Sequence, residues 1–149
     1  DFNNNFDFTE MDAIYNSGTN SIGAMEIEFG KDTLDASRGI LDDIAVLNTR
    51  YNIPKEQNNP LVVCLQLPNA RQGYWQVVKD IKVVENIKIN TISIGALLIL
   101  LWNNKNLNLC TNPFYADFDN MSIKKCVEDI LGRKIQLIDG SIGIFEPIK

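Results

Sequence analysis

The stretch Leu61-Val-Val-Cys-Leu-Gln-Leu67, set between Pro60 and Pro68, decides the fold. It is apolar at almost every position, as a strand covered on both faces is. Such a strand belongs in a sheet packed under helices, and the flanking segments must supply them. Upstream, Lys31 to Arg50 reads as a helix. Asp32 or Thr33 is positioned to cap it. Leu34, Leu41, Ile44 and Ala45 recur at helical spacing, and Ile40 and Leu47 widen the stripe, although Ser37 and Asn48 fall on the same face. Asp35, Asp42, Asp43 and Arg38 are then expected on the polar surface. Pro54 and Gln57-Asn-Asn-Pro60 end the helix in a loop. Downstream, Arg71 to Glu85 reads as a second helix carrying Trp75, Val78 and Ile81, with the valine pairs 77–78 and 83–84 leaving a strand as the rival.

Working outward, Ala24-Met-Glu-Ile-Glu-Phe29 alternates apolar and charged residues. Met25, Ile27 and Phe29 lie on one face, and Glu26 and Glu28 are expected on the wet one. Ile87, Ile89, Ile92 and Ile94 read as another strand. Gly95 to Trp102 has no defensible period, so a short buried helix and a central strand stay open. Leu107-Asn-Leu-Cys110 reads as a short strand, and Asn112 to Asn120 as a loop. Ser122 is positioned to cap a last helix over Ile123–Leu131, which Gly132 ends. Ile135–Ile138 and Ile142–Phe145 flank Asp139-Gly140, the signature of a β-hairpin turn. Residues 1–20 read as an irregular lead-in, with turns at Asn16-Ser-Gly18 and Asn20-Ser21. The expected class is α/β or α+β, a mixed sheet covered by helices in one domain over 1–149.

Composition narrows the function. The chain of 149 residues is 45% hydrophobic and 22% charged, as a globular domain is. It carries 14 Lys+Arg against 19 Asp+Glu, a net charge of −5, which argues against nucleic acid as a partner. It has no histidine, so imidazole acid–base chemistry, His-based triads and His-ligated zinc are excluded within the chain. Cys64, Cys110 and Cys126 are too few and too odd for a disulfide-stapled secreted module, and are read as reduced thiols. A Cys110–Cys126 bridge is the one pairing left open. The longest apolar run, Ile92 to Trp102, falls short of the roughly 20 residues a membrane span needs.

Several groups invite chemistry and have simpler explanations. Asp139-Gly140-Ser141 resembles a phosphate-binding turn, yet no second acidic phosphate loop and no glycine-rich nucleotide motif accompanies it. Asp117 and Asp119 with Asn112 and Asn120 form an oxygen-rich loop without calcium-loop spacing. Glu26 and Glu28 could do acid–base work, but the strand alternation accounts for them. Cys64 has no neighbouring cation in sequence to activate it. Tyr74-Trp75 reads as core packing, with an exposed interface anchor as the rival. No catalytic, metal or cofactor residues are identified, so no cofactor is expected. The expected contact surface is the acidic face of Asp35, Asp42 and Asp43, suited to a basic partner.

The segments Pro60-Leu-Val-Val-Cys-Leu-Gln-Leu-Pro68, Tyr74-Trp-Gln-Val-Val-Lys-Asp-Ile81, Ile87–Ile94 and Ala96-Leu-Leu-Ile-Leu-Leu-Trp102 follow the helix ending at Arg50. In this order they resemble the actin-like cytoplasmic domains of the type II secretion L protein and type IV pilus M protein family, the bundle-forming pilus platform protein included. The resemblance spans residues 33–131 and rests on element order. It implies a reduced actin-like (ribonuclease H-like) domain on the cytoplasmic side of the bacterial inner membrane, tethered by a transmembrane helix outside these residues. It further implies a non-catalytic scaffold that binds the assembly ATPase and neighbouring platform proteins. The alternative is a small acidic immunity or inhibitor protein that blocks a toxin or nuclease. A carboxylate-only enzyme, such as a glycosidase or metal-dependent hydrolase, is the third reading.

Overall fold

A computed structural model of the chain describes residues 11–16, 22–30, 33–65, 67–68, 73–102, 128, 132, 134–137 and 145–147. The elements are β1 (Ala13–Asn16), β2 (Ile22–Glu28), α1 (Ala36–Tyr51), β3 (Leu61–Cys64), α2 (Gly73–Glu85), β4 (Asn90–Ser93), α3 (Ile94–Trp102), β5 (Ile135–Leu137) and β6 (Phe145–Pro147). A short 3-10 turn, Lys55–Gln57, lies in the loop between α1 and β3. The expected mixed sheet covered by helices is present. Its four strands run in the order β1-β2-β3-β4. β1 is antiparallel to β2, and β2, β3 and β4 are parallel.

β3 is shorter than the expected Leu61–Leu67 strand: its four positions to Cys64 are all buried, as the apolar run requires, but Leu65 beyond them is 45% exposed. Two strand–helix–strand units share this strand, β2-α1-β3 and β3-α2-β4. Because both step across the sheet in the same direction, α1 and α2 cover the same face. Their side chains meet there in one core. Ala24 and Val62 from the strands pack with Ala36, Ile40 and Leu47 of α1 and with Tyr74, Trp75, Val78 and Ile81 of α2. The expected second helix is therefore realised with its apolar stripe inward. Val83 and Val84, which favoured a strand, are 73% and 75% exposed at its end.

The Tyr74-Trp75 pair belongs to this core and is no exposed anchor. The two rings meet edge to face with centroids 5.1 Å apart. Both polar tips are satisfied. The Tyr74 hydroxyl shares a 2.7 Å hydrogen bond with Thr91 Oγ1, and Trp75 Nε1 donates to the Pro68 carbonyl at 2.9 Å.

Residues 1–20 are not irregular throughout, because β1 forms the antiparallel edge of the sheet within them. Its register pairs Tyr15 with Gly23. A Cβ at Gly23 would run into the Tyr15 ring and the Asn59 carbonyl, so only glycine fits there. The Tyr15 hydroxyl donates to that same carbonyl.

α1 begins at Ala36, later than its sequence signals suggest. Residues 33–35 form a turn, and Asp35 occupies the cap position without a side-chain cap bond. The Ser37 hydroxyl instead donates to the Leu34 carbonyl at 2.7 Å. Asn52, in the left-handed conformation, ends the helix, and its backbone N–H bonds the Leu47 carbonyl. The undecided segment is resolved as helix, since α3 spans Ile94–Trp102. Ser93 Oγ accepts from the Ala96 N–H at 3.2 Å at its start, the bond a capping serine makes.

The last two strands pair antiparallel, but the second is Phe145–Pro147 rather than the expected Ile142–Phe145, of which 142–144 lie outside the described residues. Their register joins Leu137 to Phe145, so residues 138–144 connect them and the two-residue Asp139-Gly140 hairpin register does not apply. Gly132 takes φ +66° and its N–H bonds the Glu128 carbonyl at 2.9 Å, which fits its reading as a helix end. The expected strand at Leu107–Cys110, the loop 112–120 and the start of the last helix lie outside the described residues. Among the described residues, no helix is long and apolar enough to cross a membrane.

Candidate functional site

The expected contact surface was the acidic face of α1, and the structure divides it. Asp35 and Asp42 are exposed. Asp35 meets Arg38 at 3.6 Å in a solvent-facing pair, which holds little energy. Asp43 is only 4% exposed and does not belong to that face. The reason is helical geometry. Asp43 lies three residues after Ile40 and four before Leu47, in the middle of the stripe that meets the sheet.

β2 carries the matching correction. Its wet face was expected to hold Glu26 and Glu28, with Met25, Ile27 and Phe29 turned inward. The register reverses that reading. Glu26 aligns with Val62 and Val62 with Thr91, all on the side of the sheet that α1 and α2 cover. Ile27 and Phe29 fall on the opposite side and are 42% and 51% exposed. Room for the Glu26 carboxyl beneath the helix comes from Gly39, where a Cβ would approach Glu26 Oε1 to 2.9 Å.

The two displaced carboxylates therefore share one region between β2 and α1. Asp12 joins them from the start of β1, where its Oδ2 accepts the Ile27 N–H at 2.7 Å. The environment resists negative charge. Burial, then the charges of Asp12, Asp43 and Glu28, push Glu26 up from 4.5 to about 7. Burial, then Asp12 and Asp42, push Asp43 up from 3.8 to about 6. Among the described residues, Asp43 Oδ2 has no hydrogen-bond partner. The arrangement holds protons better than it holds charge. Among the described residues, no group of three or more His, Cys, Asp or Glu side chains is placed to hold a metal ion.

The third candidate, Cys64, is a core thiol. It is fully buried, its Sγ donates to the Ile92 carbonyl at 3.4 Å, and burial pushes it up to about 12. A thiol held protonated in this way is a poor nucleophile. Asp139-Gly140-Ser141, the oxygen-rich loop with Asp117 and Asp119, and Cys110 and Cys126 all lie outside the described residues.

The sequence reading missed the meeting of Asp12, Glu26 and Asp43. A signal for Asp43 was present, since the spacing Ile40, Asp43, Ile44, Leu47 is that of a buried stripe. Glu26 gave none, because alternation tells which residues share a face and not which face a helix covers. The chain was compared with family models, curated proteins and solved structures, and nothing matches it.

Proposed function

We propose that this chain is a non-catalytic scaffold or adaptor domain of a bacterial type IV pilus or type II secretion platform. In this reading it sits on the cytoplasmic side of the inner membrane and contacts the assembly ATPase and neighbouring platform proteins. It passes on a partner's ATP-driven motion through an interface and makes no bond of its own. The observation that carries the reading is element order. Helix, buried strand, helix, strand and apolar helix follow one another as α1, β3, α2, β4 and α3, the order on which the resemblance rests. The support is at the level of the fold, so the contact surface must be argued from exposed chemistry.

The surface it assigns to a basic partner is the outer side of α1 around Asp35 and Asp42. Asp43 is left out because it is buried. The test is capture of a purified assembly ATPase by the immobilised chain. Reversing charge at both Asp35 and Asp42 to lysine should cut capture about tenfold, and added salt should weaken it in the same way. Asp43→Asn should leave capture unchanged. Undiminished capture by the double variant would remove the acidic face from the proposal. Failure to capture any ATPase or platform protein would overturn the reading, and tight binding of a basic nuclease would favour an acidic inhibitor in its place.

A further inference from the structure

The carboxyls between β2 and α1 come from three segments and run from solvent to interior. Asp12 is exposed just before β1, Glu26 is half-buried on β2, and Asp43 is 4% exposed in the middle of α1. Glu28 on β2 and Asp42 on α1 add negative charge to the same region. The other elements packed on α1 do not offset it. β3 carries only Cys64 as an ionisable group, and α2 carries Tyr74, Lys79, Asp80, Lys82 and Glu85, none of which shifts either Glu26 or Asp43. Arg38, a base of α1 itself, pairs with Asp35 on the solvent side.

Asp43 is the informative residue. Ile40 and Leu47, one turn to either side of it on the inward stripe, are fully buried, so packing at both ends holds its carboxyl inside. Among the described residues, no partner meets its Oδ2. A carboxyl in that position is tolerated while neutral and becomes costly once charged. Glu26 has little freedom to withdraw, because its carboxyl lies against the α1 backbone, where a Cβ at Gly39 would stand 2.9 Å from Oε1. Ionising the pair sets like charges on the two sides of one contact. The relief open to them is separation, since Asp43 reaches water only when α1 tilts away from β2.

We propose that the seam between α1 and β2 is a proton-controlled latch, closed while Glu26 and Asp43 are neutral and loosened on the α1 side when they ionise. Asp43 is pushed up to about 6 and Glu26 to about 7, which puts the change around neutral pH. A latch requires more than a lower overall stability. It requires α1 to open while β3, buried between its parallel neighbours, stays closed. The device belongs to the fold and stands or falls independently of the scaffold reading.

The test is amide hydrogen exchange of the full chain at pH 5 and pH 8, with rates corrected for the intrinsic dependence of exchange on pH. The readout is the protection of the α1 amides of Ile40, Ile44 and Leu47 relative to Val62 and Val63 of β3. That ratio should fall about tenfold from the lower pH to the higher. In the double variant Glu26→Gln, Asp43→Asn it should stay constant. Glu26→Gln alone, at a half-buried position, should lessen the fall. Parallel loss of protection in α1 and β3, a constant ratio in the parent, or a fall undiminished in Glu26→Gln would overturn the proposal.

Discussion

Glu26 and Asp43 place two groups that resist ionisation at the contact between β2 and α1. Their effect on stability has a definite sign. For both, the folded-state value lies above the unfolded one, so the folded chain binds protons more tightly. Stability is then greatest at low pH, as far as these two groups decide it. It falls as pH rises from about 4 to about 7, while the unfolded chain ionises and the folded chain does not. Above that window the loss is constant. Glu26 is only half-buried and keeps some access to water, so its share of the loss is discounted to the order of 1 kcal/mol. Glu26→Gln removes both the repulsion and the proton linkage. Its urea midpoint should match the parent at pH 4 and exceed it at pH 8, by about 1 kcal/mol when converted to free energy. A variant less stable than the parent at pH 8 would mean that the carboxylate makes a favourable contact there.

At the scale of elements, β2 shows how a clear pattern misleads. Ala24-Met-Glu-Ile-Glu-Phe29 places its large apolar residues on one face, and that face is the one opposite α1 and α2, open to solvent at Ile27 and Phe29. What turned the strand was its parallel register with β3 and the crossover that carries α1 over the Ala24–Val62 side. The consequence is measurable. Val62 is fully buried and Ile27 is 42% exposed. Val62→Ala should cost about 2 kcal/mol, and Ile27→Thr should stay within about 0.5 kcal/mol of the parent in denaturant unfolding. The inward-facing reading of Ile27 makes the opposite forecast. The C-terminal strands give a milder case. Antiparallel pairing follows from apolar runs on either side of a turn, but Leu137 opposite Phe145 shows that Asp139-Gly140 did not fix the register.

At the scale of the molecule, β3 is the strand on which the sheet depends. It lies between two parallel neighbours, is buried throughout and anchors both crossovers. Among the described residues, β1 is held on one side only. Hydrogen exchange should therefore be slowest at the β3 amides Val62 and Val63 and faster by about tenfold or more in β1. Equal protection in both strands would show that the sheet opens only when the whole chain unfolds.

Much of this architecture was legible along the chain. An uninterrupted apolar run named β3, and 3.6-residue spacing named α1 and α2, because these patterns depend on nearest neighbours in one element. The sign of the charge and the lack of histidine excluded whole classes of chemistry without any coordinates. The tertiary structure alone decided which face of β2 lies under a helix, that Asp43 belongs to the interior, and that Asp12 and Glu26 join it at one seam. Each of these depends on how separate segments pack across a sheet. Periodicity records a residue's position within its own element and carries no account of what arrives from the next one.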